Sequence, residues 1–266
     1  MSDGQHPWLL LNASPDLRLQ IEAAPVLHPR DGRRDSPIAS VLLTSADIDQ
    51  IAGLLSLREL QPLRVYCTGS LRRILQDDNS AFGMLNRVAK QVVWSEIGLD
   101  QRISLTTVDD GNLGLTCTVF SLGNRYPVYV PSKRVASLRP EEALLGVILQ
   151  SSTGKRVAYM PAVPAIDDSL LSRLQDVDLL LFDGTFWSND ELIQVQGSGA
   201  TALEMGHVPV SGPEGSLRKL AGLRRPRKIF LHVNNTNPML DETGPQYAEV
   251  RGAGWEIAED GWNLNV

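Results

Sequence analysis

The chain has 266 residues, of which 42% are hydrophobic and 21% are charged, a composition typical of a globular protein with a sizeable core. Its formal net charge is −6 and its only basic cluster lies at residues 217–228, which argues against nucleic-acid binding. The apolar runs are too short for a membrane span, and the first residues lack the pattern of a signal peptide. We therefore expect one soluble, cytoplasmic α/β domain over residues 1–266, without nucleic-acid or membrane partners.

The first half of the sequence alternates strand-length apolar runs with amphipathic segments. It predicts, in chain order, strand Trp8–Leu11, helix Leu17–Ala23, a loop at Pro25–Asp35, strand Ile38–Leu43, a helix through Ile51, Leu54 and Leu55 capped by Thr44 or Ser45, strand Leu63–Cys67, a helix through Leu71 and Leu75, and another helix over Phe82–Val92.

The second half begins with short alternating patterns between turn residues and then returns to strands and helices. It predicts hairpin strands Ile103–Val108, Leu113–Ser121 and Arg125–Pro131, a hairpin of Leu144–Gln150 with Arg156–Met160, helix Ser169–Leu174, strand Val177–Phe182, a Gly-rich loop at Gln196–Ala200, helix Glu214–Leu220, a strand from Lys228 that stops at His232, helix Gly244–Arg251 and two short final strands. Strands and helices repeated in two halves favour two packed sheets with helices outside.

Cys67 and Cys117 each lie in an apolar, strand-like segment. Two buried free thiols in a reducing compartment are favoured over a disulfide. The sequence has no CxxC pair, so we expect no structural zinc site built from cysteines.

Polar groups stand where the predicted apolar strands end, and they are of the kinds that bind metals. These groups are Asp47, Asp49 and Gln50, then Asp183, then His232 with its Asn-rich loop, and His207 in a Gly-flanked loop. Carboxylates and imidazole that converge from separate strand ends suit a first-row metal. The alternative is that Asp183 only forms a turn, Asp49 only complements a helix N-terminus and His232 only ends a strand.

Five segments closely resemble the coenzyme PQQ synthesis protein B family, which belongs to the metallo-β-lactamase superfamily. These segments are Leu10–Arg18, Leu42–Glu59, Leu181–Trp187, Glu204–Pro213 and His232–Glu242. The resemblance implies an αββα sandwich and a role in making the redox cofactor pyrroloquinoline quinone (PQQ). It covers nearly the whole chain from Trp8 onward and is weakest over Asn79–Lys155.

The family resemblance implies a metal-dependent oxidation or hydroxylation of a small, tyrosine-derived or dipeptide-like PQQ precursor. Asp49, Asp183 and His232 occupy the positions of catalytic metal ligands, for Fe(II) or alternatively Zn(II). The expected substrate-binding residues are Asn12, Ser45, Gln50, His207, Asn234, Asn235 and Asn237. A homodimer is compatible with this assignment. The alternative is a carrier that binds PQQ or an intermediate without catalysis.

The sequence departs from the family at three points. One of them is at residues 139–142, Arg-Pro-Glu-Glu, which lack the histidine that the family usually has before its middle strand. The family places a His directly after the Asp, but this chain has Gln50, whose neutral amide oxygen is a poor ligand for iron or zinc. The family's first strand and its zinc-binding cysteine cluster are not matched in this sequence, so either they are lost or the sequence as given begins after them. The chain has only four histidines, so the His-rich centre of a dinuclear hydrolase is not expected. These departures leave the enzyme and carrier hypotheses both open.

Overall fold

The structure is a computed structural model that describes residues 1–2, 6–29, 35–57, 61–89 and 91–266. The chain divides into two compact units, residues 1–145 and 146–266, and each is described by itself. The assignment of residues 1–266 to a single domain stays a prediction.

The first unit contains a parallel sheet of four strands in the order β1-β2-β3-β4. The strands are β1 (Trp8–Leu11), β2 (Ile38–Leu42), β3 (Leu63–Cys67) and β4 (Val92–Glu96). An antiparallel pair follows, β5 (Arg102–Thr106) with β6 (Asn112–Gly123). Side chains of the parallel sheet bond to the backbone of β5, since Ser40 Oγ donates to Thr106 O at 3.0 Å and Tyr66 Oη accepts from Thr106 N at 2.8 Å.

Short helices join the strands of the first unit. They are α1 (Leu17–Ala23), α2 (Ile48–Ile51), α3 (Gly69–Gln76) and α4 (Ser132–Val135), with 3-10 turns at Pro25–Leu27, Ala52–Leu57, Phe82–Asn86 and Pro140–Glu142. The sequence explains α3 directly: Thr68 caps its first turn, and Leu71, Ile74 and Leu75 recur at helical spacing. These three side chains are buried in the core of the unit.

The second unit is built around a sheet with strands in the order β11-β10-β9-β8-β7. The strands are β7 (Leu144–Ser151), β8 (Arg156–Met160), β9 (Leu179–Asp183), β10 (Arg227–Leu231) and β11 (Trp255–Ile257). The β7–β8 pair is an antiparallel hairpin, and the other pairs are parallel. The helices are α5 (Asp168–Leu174), α6 (Glu191–Gln196), α7 (Ala202–Met205), α8 (Ser216–Lys219) and α9 (Pro245–Gly252), with a 3-10 turn at Pro238–Leu240.

Aromatic side chains fix the centre of this second core. Trp255 is buried and stacks on Phe230 with ring centroids 4.1 Å apart and planes 11° from parallel. The edge of Trp255 meets Phe182 at 6.1 Å. Because Phe182 and Phe230 immediately precede the last residues of β9 and β10, this packing holds the ends of both strands in place.

Several predictions of local structure are wrong in the first unit. The helix over Phe82–Val92 is a 3-10 turn that ends at Asn86, and Val92 instead opens strand β4, where Val-Val-Trp favours extended backbone. No strand forms at Arg125–Pro131, because Pro127 and Pro131 cannot donate to a ladder. The start of the loop predicted at Pro25–Asp35 is a 3-10 turn, and its residues 30–34 lie outside the described residues.

In the second unit the predicted boundaries of helices and strands agree more closely with the structure, with two exceptions. The region of the Gly-rich loop Gln196–Ala200 is flanked by helices α6 and α7, which the sequence did not predict. Of the two closing strands only β11 forms, since the described residues after Ile257 are not in strands. Within the described ranges, no helix is both long and apolar enough to cross a membrane.

The two thiols should be unreactive in the folded protein. Cys67 and Cys117 are free, with 0% and 2% of their surface exposed. Burial raises the pKa of both thiols, that of Cys117 to about 12, so the reactive thiolate is scarce near neutral pH. We expect an aromatic disulfide reagent to titrate both thiols only after denaturant is added. Rapid labelling of either thiol in native buffer would contradict the burial of that side chain.

Candidate metal centre

The ends of β9 and β10 bring Asp183 and His232 to the same edge of the second unit's sheet. The two strands are parallel, and Leu231 is in register with Asp183. Gly184 follows Asp183 and passes so close to β10 that an added Cβ would lie 2.9 Å from the Cβ of Phe230. A side chain at Gly184 would therefore separate the chain segments that carry the two polar residues.

The backbone of His232 leaves the strand in an unusual conformation. Its φ is +58°, in the left-handed region that a non-glycine residue rarely adopts. Strand β10 ends at Leu231, and the conformation of His232 turns the chain out of the sheet and into the loop at residues 233–237. Such strained residues cluster at functional sites, where surrounding contacts hold them.

His207 follows helix α7, and the sequence of that helix explains where it begins and where it ends. Helix α7 begins with a capping box, in which Thr201 Oγ1 accepts from Glu204 N and Glu204 Oε2 accepts from Thr201 N. It ends at Gly206 with φ of +92°, a left-handed turn that favours glycine. His207 follows directly, and its backbone N–H donates to Ala202 O at 2.9 Å.

The Asp183 carboxylate is fully buried and accepts two hydrogen bonds at each oxygen. At Oδ2 the donors are Val163 N, at 2.8 Å, and His207 Nδ1, at 2.9 Å. At Oδ1 they are the backbone N–H and the hydroxyl of Thr185, at 3.0 and 2.6 Å. A buried carboxylate surrounded by donors in this way is held in one orientation.

Thr185 lies at the centre of the group. Its hydroxyl oxygen is 2.8 Å from His232 Nδ1 and 3.0 Å from His207 Nδ1, in addition to its bond with Asp183. The two imidazole rings are nearly parallel, with planes 20° apart and centroids 5.6 Å apart, and Phe186 packs edge-on against His207. One potential ligand atom each from Asp183, His207 and His232 lies within 4.8 Å of the others, an arrangement that could hold a metal ion.

A second buried carboxylate fixes the loop after His232. Glu191 is 5% exposed, and its Oε1 accepts from Thr236 Oγ1 at 2.5 Å while its Oε2 accepts from Trp187 N at 2.5 Å. Sequence reasoning missed both Glu191 and Thr185. An Asp-x-Thr sequence is a signal for the turn at Thr185, but a Glu in a first helical turn carries no sign that it will be buried.

Two of the predicted substrate-binding asparagines are engaged in building this loop. Asn237 is 2% exposed, and its amide donates to Gly184 O at 2.9 Å while its oxygen accepts from Met239 N. The amide of Asn234 donates to Thr236 Oγ1 at 2.8 Å. Asn235 is exposed. Substrate binding by the three asparagines stays a prediction.

Four further predicted site residues, Asn12, Ser45, Asp49 and Gln50, lie in the first unit. Two of them, Asn12 and Gln50, form a buried network with Thr44. Gln50 Oε1 accepts from Asn12 Nδ2 at 2.7 Å and from Thr44 Oγ1 at 2.9 Å, and Asn12 Oδ1 accepts from Thr44 N at 2.8 Å. Asn12 adopts the left-handed region with φ of +60°, which asparagine tolerates. The amide oxygen of Gln50 is thus engaged within its own unit.

The start of α2 differs from the sequence prediction. Neither Thr44 nor Ser45 caps it, because Thr44 joins the network with Gln50 and Ser45 Oγ donates to Asp47 Oδ2 at 2.8 Å; Asp47 occupies the N-cap position. Asp49 is exposed in the first turn of α2. Its assignment as a metal ligand, together with the substrate role of Ser45, stays a prediction.

Replacing Gln50 with leucine should destabilise the protein by about 1–2 kcal/mol, because two buried donors lose an acceptor while each keeps another partner. The midpoint of chemical unfolding measures this change. Gln20→Leu, on the exposed face of α1, is the matched control and should leave the midpoint almost unchanged. Equal midpoints for the two variants would show that the Gln50 network contributes nothing to stability.

Comparison with known proteins decides the family. The family model described as a beta-lactamase superfamily domain matches residues 7–233. Coenzyme PQQ synthesis protein B of Methylobacterium radiotolerans is 39% identical over 260 residues, which cover 97% of this chain and 83% of that protein. Its counterpart in Xanthomonas euvesicatoria pv. vesicatoria is 40% identical over 264 residues, which cover 99% of this chain and 84% of that protein. The chain belongs to the coenzyme PQQ synthesis protein B family.

A solved structure supports the same assignment. The Zn²⁺-bound PqqB from Methylobacterium extorquens matches with a TM-score of 0.89 and 38% identity, covering 100% of this chain and 85% of that chain. The predicted metallo-β-lactamase-like αββα fold is confirmed. Family membership also makes the cluster of Asp183, His207 and His232 the candidate metal centre of a PqqB-type protein.

Proposed function

We propose that the chain acts in PQQ biosynthesis as a metal-dependent enzyme that oxidises or hydroxylates a tyrosine-derived precursor with O₂. The observation that carries the proposal is the convergence of Asp183, His207 and His232 within 4.8 Å. Two imidazoles and one carboxylate are the donor set found in non-haem Fe(II) oxygenases. Membership of the PqqB family is the reason for proposing that this reaction belongs to PQQ biosynthesis.

The residues present fit a resident metal. Imidazole nitrogens and a carboxylate oxygen bind Fe(II) and Zn(II), so Asp183, His207 and His232 would hold the ion. That Asp49 is a metal ligand, which the family resemblance implies, is a separate proposal that the substitution below tests. Fe(II), when bound, supplies the one-electron chemistry that lets O₂ react with an aromatic ring. Zn(II) binds the same donors but has no redox chemistry, so the identity of the metal decides between oxidation and simple binding.

The chain's own residues supply orientation. The four donors on Asp183 fix its carboxylate, and Glu191 fixes the loop that follows His232. Of the asparagines on that loop, Asn235 is exposed, which leaves its amide available to a small or dipeptide-like substrate with carboxylate groups.

A second candidate is a carrier that binds PQQ or an intermediate without turnover. It is favoured by Gln50, whose amide oxygen stands where the family has an imidazole and accepts bonds from Asn12 and Thr44. A chain without that imidazole would bind a metal more weakly, whereas binding of PQQ or an intermediate does not require it.

The first experiment is to load metal-free protein anaerobically with Fe(II) or Zn(II), measure bound metal by elemental analysis, and follow O₂ uptake with a tyrosine-containing dipeptide. The enzyme proposal expects stoichiometric iron and substrate-dependent O₂ consumption that Asp49→Ala and His232→Ala both abolish. The carrier proposal predicts that both variants still bind PQQ or the intermediate. Absence of stoichiometric iron, with ligand binding retained, would overturn the enzyme proposal in favour of the carrier.

A further inference from the structure

Glu191 is a buried acidic side chain whose negative charge is not compensated. It is 5% exposed, and its carboxylate oxygens accept from the backbone N–H of Trp187 and from the hydroxyl of Thr236, both at 2.5 Å. Both donors are uncharged, and among the residues that the structure describes no Arg, Lys or His forms an ion pair with Glu191. A carboxylate that is removed from water without a cationic partner is costly, so a cation that binds near Glu191 is favoured.

Two hydrogen bonds link this carboxylate to the amide of Asn234. A carboxylate can only accept, so the single hydroxyl proton of Thr236 is donated to Glu191 Oε1. The Thr236 oxygen can then only accept from its other neighbour, the Asn234 side chain, whose Nδ2 lies 2.8 Å away. Only the NH₂ group of an amide can donate, so Asn234 turns Nδ2 toward Thr236 and its carbonyl oxygen Oδ1 away from it.

This orientation makes Asn234 Oδ1 an acceptor beside the candidate metal centre. Asn234 lies two residues after His232, and its backbone N–H donates to Thr185 O at 3.1 Å. The residue is partly exposed, and within the described ranges of the chain Oδ1 has no hydrogen-bond partner. An amide oxygen binds a hydrogen-bond donor and disfavours a carboxylate, so the group that it recognises on a ligand must carry a proton.

We propose that Asn234 Oδ1 accepts a hydrogen bond from the ammonium group of an amino-acid or dipeptide substrate, and that Glu191 is the positioning residue that orients this amide. An ammonium group has three donors and a positive charge. It therefore matches both the acceptor oxygen and the uncompensated charge of Glu191 behind it, whereas a phenol or a peptide N–H matches only the oxygen. The proposal rests on the proposed function and deepens it, because it assigns a subsite to the amine end of the substrate.

The orientation of Asn234 can be measured without metal or substrate. In ¹⁵N-labelled, metal-free protein, nuclear Overhauser contacts show whether the side-chain amide protons of Asn234 lie against Thr236, and Asn234→Asp identifies their signals. We expect these contacts in the wild type. We also expect them in Glu249→Gln, the matched control, because Glu249 is an exposed carboxylate of the same unit. Absence of the contacts in the wild type would overturn the proposal.

Glu191→Gln should reverse the orientation. The Trp187 N–H still needs an oxygen, so the new NH₂ group faces Thr236, whose proton then finds an acceptor when Asn234 turns its oxygen inward. The contacts between the Asn234 amide protons and Thr236 should disappear, and their persistence would contradict the role of Glu191. Should this variant fail to fold, Thr236→Val removes the acceptor instead and should speed the exchange of the amide protons with water. Unchanged exchange would count equally against the proposal.

Recognition of the amine is tested by calorimetry on metal-free protein with a chelator present, using a tyrosine-containing dipeptide and its N-acetylated form. The wild type and Glu249→Gln should bind the free amine about 10-fold or more tightly than the acetylated peptide. Glu191→Gln and Asn234→Ala should lose that preference. Equal affinities in the wild type, or no binding of either peptide, would overturn the proposal. Because neither metal nor turnover is involved, a failure to consume O₂ would count against the proposed enzyme and not against this subsite.

Discussion

Replacing His232 with alanine should lower the affinity for Zn(II) or Fe(II) by more than about 100-fold, because the loss of an outer partner alone costs about 10- to 100-fold and a direct ligand contributes more. His207→Ala should weaken binding to a similar extent if His207 is a ligand, as its place beside Asp183 and His232 indicates. Titration of metal-free protein against a competing chelator measures both effects.

The chain offers a matched control for these substitutions. His28 is exposed, and its ring lies 3.0 Å from the backbone oxygen of Glu22, outside the cluster. His28→Ala should bind metal like the wild type. If His232→Ala also binds like the wild type, His232 is not a ligand and the metal site lies elsewhere. If only His207→Ala retains affinity, His207 serves the substrate, the role that the sequence first indicated for it.

Local signals in the sequence were sufficient to predict the helices and strands whose ends are set by neighbouring turn residues. Strand Trp8–Leu11 stops at a polar turn, and helix Leu17–Ala23 follows as predicted. Strand Leu63–Cys67 is likewise bounded as predicted. In each case an apolar run of strand or helix length is flanked by turn residues, so local preference and tertiary packing agree. The β4 strand was missed since the segment before it has helical spacing but forms only a 3-10 turn.

The site could be predicted only as a set of residue types. The sequence indicated Asp183, His207 and His232 because each stands at a strand end or in a Gly-flanked loop. It did not indicate Thr185, whose importance depends on three partners that are 2, 22 and 47 positions away. It also gave no sign that the oxygen of Gln50 bonds to Asn12, 38 positions away. Contacts of this kind are created by the sheet register and have no local signal.

Asp183→Asn should destabilise the metal-free protein by roughly 3 kcal/mol. Whichever carboxylate oxygen becomes an amide group then faces two donors, either Val163 N with His207 Nδ1 or the two donors of Thr185. Hydrogen bonds to a charged group contribute about 1.5–3 kcal/mol, and a buried donor left without a partner costs about 1–3 kcal/mol. Chemical unfolding in the presence of a chelator measures the loss, with metal binding excluded from both states.

Asp241 provides a control with the same local motif. Like Asp183 it is followed two residues later by a threonine, and Asp241 Oδ1 accepts from the Thr243 backbone N–H at 3.0 Å and from the Thr243 hydroxyl at 2.7 Å. These bonds lower the pKa of Asp241, the hydroxyl contributing most. Because Asp241 is exposed, water can replace the lost acceptor in Asp241→Asn, and the unfolding midpoint should change little. Equal losses in the two variants would show that the Asp-x-Thr turn itself, rather than burial beside His207, accounts for the stability that Asp183 provides.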